Sequence, residues 1–285
     1  MDKQHEDNKK IIWIASYPKS GNTWIRSFLS AYFFTQDGSF SFNLMKNIPT
    51  FESEIFLPYI SKEDAAKQPQ DIAKYWIEVQ KNSKLNDGNV IFLKTHNFCG
   101  KINNYSFTNA NYTLAFIYIV RDPREVVISY SNHSDQNIDK SIEIITSTSP
   151  TCMIDEGINY PVYTYNWGVN YLSWKNFYTV PHLIIKYEDL IKDTYKNFNK
   201  IISFLHGLGF PKIDKKKLIR SIYNTTFSNL QNLEKKYGFN EQNIKIGKKF
   251  FDKGLTNSWK EILSIKQVKI IEDRFKNEMK ELNYL

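Results

Sequence analysis

Short apolar runs alternate with helical patterns along this chain, which leaves few folds open to it. Four runs look like fully buried strands: Ile11–Ala15, Val90–Leu93, Leu114–Val120 and Leu183–Ile185. Apolar residues recur with helical spacing between and after them, in Thr23–Phe33, Asp71–Asn82, Arg124–Tyr130, Val162–Phe177, Leu190–Leu205, Lys215–Tyr223 and Ile265–Leu282. The alternation predicts an α/β fold, a three-layer sandwich in which helices flank a central, mainly parallel sheet. Ligands of such sheets bind beyond the carboxyl ends of the strands.

We expect the chain to form one domain. Its 285 residues, 41% of them apolar, can bury one large core. The sequence contains no internal repeat and no Gly/Ser linker. We therefore predict a disordered tail over residues 1–10 and a single domain over residues 11–285. The polar stretch Ser131–Tyr160 interrupts the pattern and is predicted to be a long surface excursion, either a substrate lid or a mobile loop.

Charge, cysteine content and the lack of long apolar runs indicate which binding partners and which cellular compartment to expect. The chain has 38 Lys and Arg against 30 Asp and Glu, a net charge of +8, which favours an anionic partner such as a nucleotide, a nucleic acid or a membrane face. Its two cysteines, Cys99 and Cys152, form no metal or redox motif. The charged N-terminus precedes no apolar segment, and no run approaches the ~20 apolar residues of a transmembrane helix. These features predict a soluble, cytoplasmic protein without a transmembrane segment.

The first candidate site follows the first strand and has the sequence Tyr-Pro-Lys-Ser-Gly-Asn-Thr-Trp at 17–24. A strand, a turn containing Gly21 and a helix N-terminus together direct backbone N–H groups at one point, which suits an anion. Lys19 adds a positive charge. The alternative is a simple turn in which Asn22 or Thr23 caps the helix. A Walker A loop is excluded because Lys19 precedes Gly21 rather than following it.

Two further strands end in residues that can bind or react with a ligand. Arg121 ends one strand, Asp122 and Pro123 suit a helix start, and Ser129 lies two turns into that helix. On its own, Arg121 could equally be a structural ion-pair partner. Lys94-Thr95-His96 ends another strand on the same rim, where His96 could act as a general base.

These segments resemble the PAPS-dependent sulfotransferases, which use 3′-phosphoadenosine-5′-phosphosulfate (PAPS) as sulfuryl donor and release adenosine 3′,5′-bisphosphate (PAP). The resemblance implies a P-loop-NTPase-like form of the fold. Segment 17–24 resembles the family's 5′-phosphosulfate loop, in which Lys19 would contact the bridging oxygen of the donor. Ser20, Gly21, Asn22 and Thr23 would then bind the 5′-phosphate, and Trp24 would pack near the adenine. Arg121 and Ser129 match the residues that bind the 3′-phosphate.

The remaining matches concern the reaction and the adenine. Lys94-Thr95-His96 resembles the family's Lys-Thr-His signature, in which the His removes the acceptor proton and the Lys binds the sulfuryl oxygens. Tyr187 and Phe227 match residues at the adenine, although Tyr187 could also be an ordinary buried tyrosine. Lys253 and Gly254 match the C-terminal loop that covers the 3′-phosphate. Asp252 stands where the family usually has Arg, so that one expected contact with the 3′-phosphate is missing. We therefore exclude Asp252 from the predicted site residues.

The resemblance implies in-line sulfuryl transfer to a hydroxyl or amine, with His96 as base and with no metal ion. The acceptor could be a small molecule, a glycan or a lipid, and Ser39–Ile60 and Ser131–Tyr165 are the candidate acceptor-lining segments. Nucleic acid is not expected as a partner, and the sequence leaves open whether the chain forms a homodimer. Two alternative functions are weighed against this one. A magnesium-dependent P-loop kinase would need a Walker loop and a carboxylate that positions magnesium, and neither is evident in the sequence. The other alternative is a non-catalytic nucleotide-binding protein.

Overall fold

The computed structural model describes residues 10–82, 89–149, 152–153, 160–239, 250–251, 254 and 257–285. Its strands in chain order are β1 (Ile11–Ser16), β2 (Ile91–Thr95), β3 (Lys101–Ile102), β4 (Tyr105–Ser106), β5 (Thr113–Val120), β6 (Cys152–Met153), β7 (Val162–Tyr163) and β8 (His182–Lys186). Its α-helices are α1 (Asn22–Phe33), α2 (Lys62–Lys67), α3 (Trp76–Lys81), α4 (Pro123–Ser134), α5 (Ile138–Thr146), α6 (Trp167–Lys175), α7 (Tyr187–Lys192), α8 (Thr194–Gly207), α9 (Lys215–Asn224), α10 (Phe227–Tyr237), α11 (Trp259–Ile262), α12 (Ile265–Arg274) and α13 (Lys276–Glu281). Short 3₁₀ helices lie at Phe42–Asn47, Glu54–Phe56 and Pro69–Tyr75.

The central sheet contains the four predicted strands in the order β2-β1-β5-β8. Every neighbouring pair is parallel. All six residues of β1 are buried, as a strand covered on both faces requires. One apolar cluster includes Trp13, Trp76 and Trp174, and another includes Ile12, Phe28 and Phe198. Because neighbouring β1 residues belong to different clusters, a core lies on each face of the sheet, which confirms the predicted three-layer α/β fold.

The four parallel strands end at the same edge, and each is followed at once by a predicted site residue. Tyr17 follows β1, His96 follows β2, Arg121 follows β5 and Tyr187 follows β8. Parallel strands in register bring their carboxyl ends together. The sheet therefore gathers segments that lie far apart in the sequence along one edge.

The predicted excursion at Ser131–Tyr160 is wrong for its first half. Helix α4 continues to Ser134, and a separate helix α5 follows. The Asn137 side chain accepts a hydrogen bond from the Lys140 N–H and so caps α5, while Ile142 and Ile145 are buried. The polar residues conceal this short amphipathic helix. Part of the remaining stretch, and residues 1–9 of the predicted tail, lie outside the described residues.

The predicted helix over Val162–Phe177 is also wrong at its start. Val162 and Tyr163 form a strand that pairs with β6, and the helix begins only at Trp167. Tyr165 has a left-handed backbone with φ of 53°, and the Asn166 side chain accepts from the Val169 N–H. A left-handed residue followed by an Asn cap ends any continuous helix. Apolar spacing simply runs across this break.

Other helices were predicted in the right place with different limits. Asp71–Asn82 begins as the Pro69–Tyr75 3₁₀ helix. The patterns at Leu190–Leu205 and Ile265–Leu282 are each divided into two helices, since Asp193 caps α8 and Phe275 separates α12 from α13. Helices α2, α10 and α11 were not predicted.

Candidate active site

The loop after β1 adopts a conformation that few residues allow. Lys19 and Gly21 both have positive φ angles, 66° and 98°, and α1 begins at Asn22 with Gly21 in the N-cap position. A Cβ atom at Gly21 would lie 2.5 Å from Tyr187 Cδ2. Only glycine fits such a left-handed position beneath a ring. No side-chain hydrogen bond caps α1, so the alternative in which Asn22 or Thr23 caps the helix is wrong.

Two buried polar side chains of this loop, those of Asn22 and Ser20, differ in their hydrogen bonding. Asn22 Nδ2 donates to the Ile14 carbonyl at 2.9 Å and to Ser16 Oγ at 3.2 Å, which ties the loop to β1. Among the described residues, Ser20 Oγ is buried without a hydrogen-bond partner. A buried hydroxyl is normally satisfied. Its position at a helix N-terminus beside Lys19 suits an anionic ligand, and Thr23 lies half-buried in the first turn of α1.

Arg121 contacts this loop from the neighbouring strand. Its Nη1 donates to the Lys19 carbonyl at 3.1 Å, and its guanidinium carbon lies 4.4 Å from the centre of the Tyr187 ring. The Tyr187 ring also meets Trp24, with 6.0 Å between ring centres. Arg121, Tyr187, Gly21 and Trp24 are therefore brought together as predicted. Ser129 lies half-buried on α4, two turns after Arg121.

His96 lies at the base of the same loop. Its Nδ1 is 2.8 Å from the Ser16 carbonyl oxygen. Because a carbonyl oxygen only accepts, Nδ1 carries the hydrogen, and in the neutral ring Nε2 holds a free electron pair. Burial and the nearby Lys94 ammonium lower the pKa of His96 well below its ordinary value, against the opposing effect of the Ser16 bond. The ring is therefore neutral at neutral pH.

A buried carboxylate that we did not predict supports the Lys94–His96 segment. Glu52 Oε1 accepts from Thr95 Oγ1 at 2.6 Å and from Asn97 Nδ2 at 2.5 Å. Burial raises the pKa of Glu52, and the charge of Lys94 acts in the opposite direction. Lys94 itself is buried at the end of β2. Glu52 thus holds the residues on both sides of His96.

Two of the predicted adenine residues, Trp24 and Phe227, adjoin a small apolar cluster. Trp24, Phe227 and Phe250 pack against the cluster of Met45, Leu230, Phe239 and Phe251. Gly254 has a φ of 59°, and a Cβ there would lie 2.7 Å from Phe227 Cε2. The Lys19 ammonium lies 4.4 Å from the centre of the Phe250 ring. Phe227 and Gly254 are therefore adjacent, whereas Lys253 and Asp252 lie outside the described residues.

Residues 9–283 match the family model of the sulfotransferase domain. The chain belongs to the sulfotransferase family. This sulfotransferase is 22% identical over 280 residues to an amine sulfotransferase of Oryctolagus cuniculus, covering 95% of this chain and 81% of the relative. It is 26% identical over 270 residues to a flavonol 3-sulfotransferase of Flaveria bidentis, covering 92% and 79%. The family and the kind of enzyme predicted from the motifs are confirmed.

Solved structures share the fold of this sulfotransferase. A mouse sulfotransferase complexed with PAP superposes with a TM-score of 0.59 at 20% identity, covering 98% of this chain and 85% of the other. A retinol dehydratase in complex with androsterone and inactive cofactor PAP gives a TM-score of 0.62 at 17% identity, covering 95% and 80%.

Within the part of the chain that the structure describes, no three His, Cys, Asp or Glu side chains are grouped so that they could hold a metal ion. No helix among the same residues is long and apolar enough to cross a lipid bilayer.

Proposed function

We propose that this sulfotransferase transfers a sulfuryl group from PAPS to a hydroxyl or amine of a small molecule, with His96 as general base. The observation that carries the proposal is the bond from His96 Nδ1 to the Ser16 carbonyl, which leaves Nε2 as the proton acceptor. The bond also fixes the ring to the residue that precedes the Tyr17–Trp24 loop. Base and loop are thus held in one geometry.

We assign the donor to the edge of the sheet on the character of its residues. Ser20 Oγ, the α1 N-terminus and Lys19 would bind the 5′-phosphosulfate, and Arg121 with Ser129 would bind the 3′-phosphate. The mouse sulfotransferase and the retinol dehydratase with the same fold are complexed with PAP, which supports this assignment. When bound, PAPS supplies an activated sulfuryl group.

The chain's own residues would act on the two ends of the transferring group. Lys19 would stabilise the negative charge that develops on the departing phosphate, and Lys94 would bind the sulfuryl oxygens. His96 Nε2 would take the proton of the attacking hydroxyl or amine. Two positive charges and a neutral imidazole suit this reaction, because an imidazolium could not accept a proton. We further propose that residues 11–285 act as one domain.

The names of two relatives, an amine sulfotransferase and a flavonol sulfotransferase, support a proposal for the acceptor class. We propose a small aromatic alcohol or an amine. The experiment is to incubate the protein with ³⁵S-labelled PAPS and a panel of phenols, flavonols, aliphatic alcohols and amines. We expect labelled product with at least one acceptor, and a loss of about 10²- to 10⁴-fold in turnover for His96→Ala.

The matched control is His206→Ala, because His206 is an exposed histidine in the last turn of α8 and is not one of the proposed site residues. It should retain wild-type turnover. Equal turnover by His96→Ala and His206→Ala would exclude His96 as the base. Magnesium-dependent transfer of the γ-phosphate of ATP to the same acceptors would instead overturn the reaction class.

A further inference from the structure

Glu125 is a buried carboxylate in the first turn of α4, beside the residues proposed for the 3′-phosphate. Only 2% of its surface is exposed. Glu125 Oε2 lies 3.5 Å from Arg121 Nη2 and accepts from Ser258 Oγ at 2.8 Å. Glu125 Oε1 accepts from the Trp259 N–H at 3.0 Å. One carboxylate therefore joins Arg121 to a segment more than a hundred residues later.

The sequence spacing places Glu125 between the two predicted 3′-phosphate residues. Glu125 and Ser129 are four residues apart on α4 and so share one side of the helix, and Arg121, just before the helix, pairs with Glu125. A negative carboxylate beside a phosphate would repel it. The charge of Glu125 is already engaged with Arg121 and with two donors from Ser258 and Trp259. This arrangement suits a residue that orients other groups and does not itself bind the nucleotide.

The Ser258–Trp259 segment is held to α4 by a second contact. The Arg124 guanidinium carbon lies 3.8 Å from the centre of the Trp259 ring. Arg124 is in turn fixed by Asp122 Oδ2 at 2.7 Å and by the Tyr284 carbonyl at 2.9 Å. Glu125 thus accepts a hydrogen bond from the Trp259 backbone, and its neighbour Arg124 packs against the Trp259 ring. Any movement of Ser258 or Trp259 must disturb the residues next to Arg121.

This segment follows the part of the chain that contacts the predicted adenine residue. Gly254 lies against Phe227, and Ser258 comes four residues later. The Glu125 side chain therefore links Arg121 with the C-terminal side of the proposed nucleotide site. We propose that Glu125 is a positioning residue that sets selectivity for a nucleotide bearing a 3′-phosphate, by fixing Arg121 and Ser258–Trp259 relative to each other. The inference rests on the proposed function.

The test compares two nucleotides that differ only in the 3′-phosphate. Calorimetric dissociation constants for PAP and for AMP are measured without magnesium, for wild type, Glu125→Ala, Glu125→Gln and Ser258→Ala. We expect Glu125→Ala to reduce the PAP-to-AMP affinity ratio about 10-fold or more, since several buried polar groups lose their partner. AMP affinity should change by less than about 3-fold. Glu125→Gln should retain most of the ratio, because its amide oxygen still accepts from Trp259.

Glu143→Ala is the matched control, because Glu143 is an exposed helical glutamate that pairs with the exposed Lys140. Its ratio should equal that of wild type. A Glu125→Ala variant that loses PAP and AMP affinity equally would contradict the inference, since a merely structural defect acts on both. A wild type that does not prefer PAP over AMP would instead contradict the proposed donor.

If Glu125→Ala does not fold, Ser258→Ala decides the question. It removes one hydrogen bond to the carboxylate and leaves the Arg121–Glu125 pair in place. We expect the PAP-to-AMP ratio to fall about 3-fold, the effect of one modest hydrogen bond. An unchanged ratio in a folded Ser258→Ala protein would overturn the inference.

Discussion

The two ends of the proposed nucleotide site are built in different ways. The loop over Lys19–Asn22 owes its shape to its own residues: two positive φ angles, a glycine that leaves room for a ring, and an Asn bonded back to β1. The region around Arg121 is assembled from distant segments, since Glu125 is bonded to Ser258, 133 residues away. The first end depends on local backbone geometry, and the second on long-range side-chain contacts.

Substitutions at the two ends should therefore affect nucleotide affinity in different ways. A change in the loop should affect every nucleotide that carries a 5′-phosphate, because the loop N–H groups do not distinguish among them. A change around Arg121 should affect only nucleotides with a 3′-phosphate.

The largest effect is expected from Lys19→Met. The substitution preserves much of the side chain's length and removes the charge that would stabilise the departing phosphate, so turnover should fall about 10²- to 10³-fold. PAP affinity should fall far less, since the transferring sulfuryl group is absent from PAP. Steady-state rates with ³⁵S-labelled PAPS and calorimetry with PAP give the two numbers. Equal losses in turnover and in PAP affinity would assign Lys19 to binding alone.

Gly21→Ala should come next. The new Cβ would meet the Tyr187 ring at 2.5 Å in a backbone conformation with φ of 98°. Strain of this kind costs about 1–3 kcal/mol. We expect the free loop to relieve it by moving, so that binding must restore the strained conformation and affinity falls roughly 5- to 150-fold. PAP and AMP should be weakened alike, in contrast to the variants near Arg121. Gly209→Ala is the control, because it shares the positive φ but has open space around it. Selective loss of PAP affinity in Gly21→Ala would contradict the proposed difference between the loop and the region around Arg121.

The pH dependence follows from the state of His96. Its pKa lies well below the ordinary value, so the base stays neutral as the pH falls through 6.5, and kcat/KM should hold constant there. The rate should decline only at lower pH, when the imidazole becomes protonated. Because a bound anionic nucleotide favours the imidazolium, the acid limb of kcat should lie at higher pH than that of kcat/KM. An acid limb of kcat/KM at or above pH 6.5 would contradict the assigned environment.

The smallest effect is expected outside the site, from Asn137→Ala. Loss of this N-cap should lower the free energy of unfolding by about 1 kcal/mol, because the first turn of α5 loses a hydrogen bond. PAP and AMP affinities should stay at wild-type values. Chemical denaturation and calorimetry measure the two quantities. A change in the PAP-to-AMP ratio would show that α5 takes part in nucleotide selectivity.

The same local and long-range division explains what could be predicted from the sequence. The four strands, their parallel arrangement and the residues at their ends were predicted, since each strand is a short apolar run and each motif is contiguous. The break at Tyr165 and Asn166 was missed because apolar spacing does not reveal a left-handed residue. Helix α5 was missed although Ile138, Ile142 and Ile145 recur with helical spacing, because the helix is short and lies in a stretch that is otherwise rich in polar residues.

The supporting carboxylates illustrate the limit most clearly. Glu52 belongs to no motif, and only the folded chain brings it to Thr95 and Asn97. Glu125 could have been noticed, since it lies four residues after Arg121 on a predicted helix. Its bonds to Ser258 and Trp259, however, depend on contacts that no sequence pattern specifies. Residues that hold a site together are thus harder to predict than residues that contact its ligand.

The most direct test of the central claim is a calorimetric titration of the wild-type protein with PAP, ADP and ATP in the absence of magnesium. We expect a micromolar or tighter dissociation constant for PAP, with clear preference over ADP and ATP. We also expect Arg121→Ala to abolish this preference, while the exposed control Arg220→Ala retains it. Binding of ADP as tight as that of PAP would contradict the assignment of a 3′-phosphate site and of PAPS as the donor.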